Sequence, residues 1–261
     1  MHSDNHIHTH YCPHGSDYNM ENYVKSAISK GLKRMTFTEH APLVIKDTTP
    51  EKNSAMTVED IDLYRQEGRM LKERYQEQIE INLGFEVDYI EGMEAETQRL
   101  LEKYPDMIPY SILSVHFIKL PDNEYFCIDY DKDYFLTKLN EVGFETIAAI
   151  YEKTLHLALS NPYGEYTPKT IGHITLINKF EQAHLLENQI DWIRLLKKIK
   201  QEGYSMDYNF AGLDKPYYKK TYPQAELVKK ALEMTIPLSY GSDAHHPDDV
   251  GRYFERSVEN G

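Results

Sequence analysis

Residues 17–40 read DYNMENYVKSAISKGLKRMTFTEH, and the two halves of this stretch obey different periods. Met20, Tyr23, Val24, Ala27 and Ile28 recur at helical spacing, Asp17 is placed to cap the helix, and Gly31 supplies its stop. The chain then enters the short run Met35–Thr38, a strand by composition, which ends in Glu39-His40. A helix delivered straight into a strand is half of a βαβ unit, and His6–His8 upstream provides the strand before it.

The alternation continues outward. Ile79–Val87, Ile112–Phe117, Thr170–Leu176, Met206–Phe210 and Pro237–Tyr240 read as further strands. Between them Val58–Tyr75, Glu91–Tyr104, Asp131–Ser160 with a break at Gly143, Glu187–Glu202 and Pro223–Thr235 read as helices. Seven strands separated by helices predict one α/β domain over residues 1–261 with a parallel, barrel-like sheet. An open doubly wound sheet would give the same alternation.

The polar residues carry more information than the apolar ones. Most apolar runs end in a His, Asp or Glu: His6-x-His8, Glu39-His40, Glu86 with Asp88, His116, His173 and Asp243-x-His245. Parallel barrels collect such residues at the C-terminal ends of their strands, so the fold and the cluster explain each other. In His6-x-His8 the strand period of two puts both imidazoles on one face, where they can share a metal. His14, past the strand end, is placed to reach a second metal from a loop, whereas His2 and His10 read as surface residues. Glu39-His40 taken singly is a solvated loop pair, and His116 or His173 alone is a hydrogen-bonded core histidine. Glu86 is different, because Gly84-Phe85-Glu86-Val87 sets a carboxylate in an apolar segment where only a metal or a buried salt bridge compensates it. A carboxylate there can bridge two cations through its two oxygens. In Tyr240-Gly241-Ser242-Asp243-Ala244-His245 small residues allow close approach, and Asp243 and His245 again alternate at strand spacing.

Composition narrows the class. A net charge of -13 opposes long contact with a nucleic acid backbone and makes a small molecule the expected partner. No apolar run approaches a membrane span, and the first residues lack the basic and apolar parts of a secretory signal, so a cytoplasmic protein is expected. Cys12 and Cys127 read as two unpaired thiols. No obligate protein partner is implied.

His6-x-His8-x5-His14, Glu39-His40, Glu86, His116, Gly172-His173 and Ser242-Asp243-Ala244-His245, in this order, resemble the polymerase and histidinol phosphatase (PHP) family over nearly the whole chain. The resemblance implies a distorted (β/α)7 barrel with a trinuclear site of Zn, Mn or Fe at the C-terminal ends of the strands. Carried over, one divalent metal takes His6, His8, Glu86 and Asp243, a second His14, His40 and His245, and a third Glu86, His116 and His173. None of the nine ligands is missing. Residues 172–180, GHITLINKF, and 209–216, NFAGLDKP, look most like the histidinol-phosphate phosphatases within the family. That group often carries an arginine near the first segment, where this chain has Asn178-Lys179.

The expected activity is hydrolysis of L-histidinol phosphate by metal-activated hydroxide, with Asp243 orienting the hydroxide or accepting its proton and Glu86 bridging. Lys215 and Lys179 are the candidate phosphate contacts, each weighed against an ordinary surface lysine, and Asp17 and Glu39 the candidate partners of the substrate amine. Two alternatives stand beside this reading. One is a PHP-type phosphoesterase acting on another small ester or on nucleic acid. The other is a non-catalytic metal-stabilised module, which the full ligand set argues against, since structural sites tend to be closed around one metal.

Overall fold

The computed structural model of the chain describes residues 2–258. The chain runs from β1 (Ser3–Ile7) through α1 (Met20–Ser29), β2 (Arg34–His40), α2 (Ile61–Tyr75), β3 (Glu80–Asp88) and α3 (Glu94–Leu101) to β4 (Ile112–Ser114). A hairpin of β5 (Phe117–Lys119) and β6 (Tyr125–Cys127) interrupts the alternation, followed by α4 (Lys132–Val142) and α5 (Phe144–Ala158). Then come β7 (Thr170–Ile171), the short α6 (Glu181–His184), α7 (Trp192–Gln201), β8 (Ser205–Asn209), α8 (Ala225–Glu233) and β9 (Leu238–Gly241).

The seven strands expected from the sequence form one sheet in the order β1-β2-β3-β4-β7-β8-β9, with every pair parallel. The edges meet. Ile7 bridges Ala244, the His8 amide donates to the Ala244 carbonyl at 2.8 Å, and the Asp243 amide donates to the His6 carbonyl at 2.8 Å. That seam decides for a barrel over an open doubly wound sheet. The inner strands are buried on both faces, as parallel strands covered by helices are: six of the seven residues of β2 are buried, whereas three of the four residues of β9 are half-buried.

α1 buries Met20, Tyr23, Val24 and Ala27, the spacing the sequence shows, but its cap is Asn19 and not Asp17. The helix starts at Met20, so Asn19 occupies the capping position and its Oδ1 accepts from the Asn22 amide at 3.3 Å, while Asp17 lies two residues farther out and exposed. Gly143 breaks the long helix at φ +87°, a backbone state that glycine alone adopts freely. The expected strand Ile112–Phe117 splits, because Leu120-Pro121-Asp122-Asn123 turns the chain into the antiparallel hairpin and leaves His116 at the junction. The expected strand Thr170–Leu176 keeps only its first two residues. Gly172 still donates to Leu113, but the His173 amide turns to the Asp207 carboxylate at 3.4 Å, and the chain then coils into a 3-10 turn at Leu176–Asn178. Among the described residues no helix is long and apolar enough to cross a membrane.

Candidate metal centre

The parallel register sets the site. His40 on β2 lies beside Glu86 on β3, and Asp88 beside Ser114 on β4, so one end of the barrel receives a polar residue from each strand in turn. Glu86 stands at the centre, 1% exposed. Its Oε2 lies 3.1 Å from His6 Nε2, 3.3 Å from His8 Nε2 and 3.3 Å from His40 Nδ1. Its Oε1 lies 2.8 Å from His173 Nε2 and 3.5 Å from His116 Nε2, and accepts from the Ser114 hydroxyl at 2.6 Å. Two sets of imidazoles therefore address two oxygens of one carboxylate. Asp243 Oδ1 lies 3.4 Å from His8 Nε2 and 4.0 Å from His6 Nε2, so it faces the first set.

His245 stacks on His8 with ring centroids 4.2 Å apart, and His14 lies 5.0 Å from His245 and 5.3 Å from His40 by the same measure. His14 is the outermost of the nine: it is exposed, its Nδ1 donates to the Asn53 carbonyl at 2.9 Å, and its Nε2 is 3.4 Å from Cys12 Sγ. The buried Cys12 joins His8, His40 and His245 in a group whose potential ligand atoms all lie within 4.8 Å. Nothing in the spacing of the two cysteines pointed to that place for the thiol.

Three of the five imidazoles around Glu86 are braced from behind by a carboxylate. Because a carboxylate only accepts, His6 Nδ1 donates to Asp207 at 2.9 Å, His8 Nδ1 to Glu39 at 3.2 Å and His116 Nδ1 to Asp88 at 2.8 Å. That fixes the tautomer and turns the other nitrogen toward the cluster, the arrangement by which metal-binding histidines are oriented. His6 Nε2, His8 Nε2, His40 Nδ1, His173 Nδ1 and His245 Nε2 are buried without a hydrogen-bond partner of proper geometry among the described residues. Buried ring nitrogens of this kind, converging on carboxylate oxygens, fit divalent transition metals by donor type and by the lack of any other partner.

The electrostatics are those of charges packed at close quarters. Burial alone pushes His6 down, but Glu86, Asp207 and Asp243 override it and hold His6 well above the ordinary imidazole value. His116 is pushed up to about 10 in the same way, against burial, by Asp88 and Glu86. His40 and His245 go the other way, well below the ordinary value, through burial and the neighbouring charge of His8. Burial raises Glu86, yet His6, His116 and His40 together hold it well below the carboxylate range.

The cluster forms the floor of a cavity of about 610 Å³ whose wall carries Lys179, Lys215, Arg252, Asp129, Asp131, Glu51 and Tyr130. Lys179 is paired: its Nζ donates to the Asp129 carbonyl and, at 3.1 Å, to the Asp129 carboxylate. Lys215 is part-buried and its ammonium has no hydrogen-bond or ion-pair partner among the described residues; burial, then Lys179, lowers its pKa. The two expected amine partners are not on this wall. Asp17 is exposed outside the cavity, and Glu39 is fully buried with both oxygens engaged, accepting from His8 Nδ1, from the Thr9 amide at 2.8 Å and from the Thr9 hydroxyl at 2.6 Å. A residue one position before His40 on a strand points to the opposite face, so Glu39 works behind the ligands, as a brace. His10 likewise sits apart, near Glu67 and with its ring tilted against Tyr11.

Asp207, Asn209 and Ser114 escaped the sequence reading. Asn209 donates to both Asp207 and Asp243, at 3.2 and 3.1 Å. The signal was available: in Met206-Asp207-Tyr208-Asn209 two polar residues alternate on one face of an apolar strand. Gly241 is explained by the same corner, since a Cβ there would meet Asp207 Oδ1 and His6 Cβ at 2.6 Å each.

The chain is similar to known proteins along its whole length. It is 38% identical over 265 aligned residues to the histidinol-phosphatase of Bacillus subtilis strain 168, covering 98% of each chain. A Listeria monocytogenes crystal structure with a provisional histidinol phosphatase assignment superposes with a TM-score of 0.87 at 30% identity, covering 97% of this chain and 99% of that one. The histidinol phosphate phosphatase of Lactococcus lactis, crystallised with zinc, L-histidinol and phosphate, has a TM-score of 0.70 over 94% of this chain and 87% of its own, and its 18% identity makes that a likeness of fold. The PHP domain model matches residues 4–211, the segment that carries seven of the nine residues gathered above, and the chain belongs to the PHP domain family.

Proposed function

We infer that the chain is a metal-dependent phosphomonoesterase that hydrolyses L-histidinol phosphate to L-histidinol and phosphate. The observation that carries this reading is Glu86, whose two oxygens are addressed by separate sets of imidazoles, as a carboxylate bridging two cations requires. Full-length likeness to the Bacillus subtilis histidinol-phosphatase supports the choice of ester. Three ions are proposed, held by His6, His8, Glu86 and Asp243, by His14, His40 and His245, and by Glu86, His116 and His173, with Zn, Mn and Fe as the candidates that this donor set suits; His14, its ring 5.0 Å from His245 and 5.3 Å from His40, stands outside the tight group that His40 and His245 form with His8 and Cys12. Divalent ions held there would neutralise the phosphate and lower the pKa of water to the neutral range.

The chain's own residues then have separate tasks. Asp243 is held by Asn209 on Oδ2 while Oδ1 faces His8, so its carboxylate is fixed to orient the attacking water or accept its proton. Lys215, a cation at the cavity wall without a partner among the described residues, is the phosphate contact, and Lys179 stands beside it paired with Asp129. With Asp17 and Glu39 placed elsewhere, the wall carboxylates Asp129, Asp131 and Glu51 are the available partners for the amine and imidazole of the substrate.

The test is phosphate release from histidinol phosphate beside a panel of phosphomonoesters. Histidinol phosphate is expected to exceed esters lacking its amine and ring by at least roughly tenfold in kcat/KM, about 1.4 kcal/mol of differential transition-state binding. Equal rates on p-nitrophenyl phosphate or a nucleotide would sink the choice of ester and leave the metallophosphoesterase.

A further inference from the structure

Asp243 and His245 project from a segment whose backbone has to be held in place. Asp243 adopts φ +51°, a left-handed state that a residue with a Cβ keeps only when its surroundings enforce it. Beside the seam bonds to His6 and His8, two side chains clamp its backbone at Ser242 and Asp243. Asp4 on β1, fully buried, accepts from the Ser242 amide at 3.0 Å and from the Gly251 amide at 2.7 Å, tying the segment to the chain that follows it. The next residue, Arg252, turns its guanidinium back: Nε donates to the Ser242 carbonyl at 2.9 Å and Nη2 to the Asp243 carbonyl at 3.0 Å. Its Nη1 is anchored by Asp214 at 3.2 Å and Asp249 at 3.5 Å, so the fork is fixed in orientation.

The Asp243 carbonyl has a second neighbour, His245 Nδ1 at 3.2 Å. A carbonyl only accepts, so this contact puts the proton on Nδ1 and leaves the lone pair on Nε2, which is buried without a hydrogen-bond partner among the described residues. We propose that Arg252 is a positioning residue for the metal centre: it fixes the backbone from which Asp243 and His245 project and, through the Asp243 carbonyl, the tautomer of His245. This rests on the reading of the cluster as a metal centre. Because Arg252 also lines the cavity, the rival role is a direct charge contact to the substrate phosphate. Lysine separates the two, since it keeps the charge but cannot reproduce a planar fork that holds two carbonyls at once.

The experiment uses the full chain, stripped by chelator and titrated with Zn or Mn, as wild type, Arg252→Gln and Arg252→Lys. Orienting groups behind metal ligands typically tune affinity by roughly 10–100-fold, and both variants are expected to lose about that much, with Arg252→Lys no better than Arg252→Gln. Melting of the metal-free proteins is expected to stay close to wild type, and if Arg252→Gln fails to fold, Arg252→Lys decides alone. Wild-type metal affinity in Arg252→Lys overturns the proposal, and a raised KM with unchanged metal binding in Arg252→Gln assigns the residue to the phosphate instead. A wild-type chain that takes up no metal brings down the metal centre itself, an outcome distinct from failure of the arginine.

Discussion

Glu39→Gln separates a brace from a substrate contact. Glu39 serves four donors: His8 Nδ1 at 3.2 Å and the His40 amide at 3.3 Å on one oxygen, the Thr9 amide at 2.8 Å and hydroxyl at 2.6 Å on the other. Glutamine keeps the shape but turns one of these oxygens into a donor. The cheaper orientation sets its NH2 toward Thr9, whose hydroxyl can rotate and accept, leaving one buried amide N–H unpaired at about 1–3 kcal/mol. His8 keeps an acceptor but loses its charged one, which by the usual effect of such partners weakens metal binding by roughly 10–100-fold, or about 1.4–2.7 kcal/mol. The expected result is a folded protein that holds metal less tightly and needs more of it for full activity, with similar losses on histidinol phosphate and on p-nitrophenyl phosphate at limiting metal and recovery on both once metal is saturating. Elemental analysis after dialysis and chelator-competition titration read the first effect, and steady-state kinetics on the two esters the second. Unchanged metal affinity with KM raised for histidinol phosphate alone would refute the brace and restore Glu39 as the amine partner.

Glu86→Ala removes the oxygens addressed by five imidazoles, so metal content and turnover are expected to fall together; retained metal with normal turnover excludes the bridge. Lys215→Ala should weaken phosphate-bearing ligands by ~1.5–3 kcal/mol, the scale of a hydrogen bond to a charged group, while the metals stay bound; an unchanged inhibition constant for inorganic phosphate contradicts the contact. In the metal-free chain His116 is pushed up to about 10, so its charged pairing with Asp88 stabilises the fold fully below the ordinary imidazole value and is lost as pH rises through about 10. At neutral pH that proton must leave when metal enters, so affinity should rise with pH and calorimetry in two buffers should detect proton release. Uptake without release would mean that His116 stays out of the coordination shell.

The sheet was legible because its strands are short apolar runs between helical periods, and each of the seven lies within a few residues of its expected place. The hairpin Phe117–Cys127 and the loss of strand after Ile171 were not legible. Both depend on competition for backbone groups: the His116 and His173 amides turn to Asp88 and Asp207, partners 28 and 34 residues away. Capping failed by two residues, as boundaries do when several polar residues precede a helix. The convergence of the expected ligands followed from one rule, that parallel strands share an end, together with the order of the motifs.

What the sequence determined by itself was therefore periodic or covalent: the alternation of strand and helix, the same-face pairs His6-x-His8 and Asp243-x-His245, and a carboxylate set among apolar neighbours at Glu86. What only the tertiary structure decided was who stands behind those residues. Glu39 became a brace and not a substrate contact, Asp207 reached His6 from 201 residues away, and Arg252 closed over Asp243. A side chain's partner across a barrel is set by strand register and by closure of the seam at Ile7 and Ala244, and neither leaves a local period in the chain.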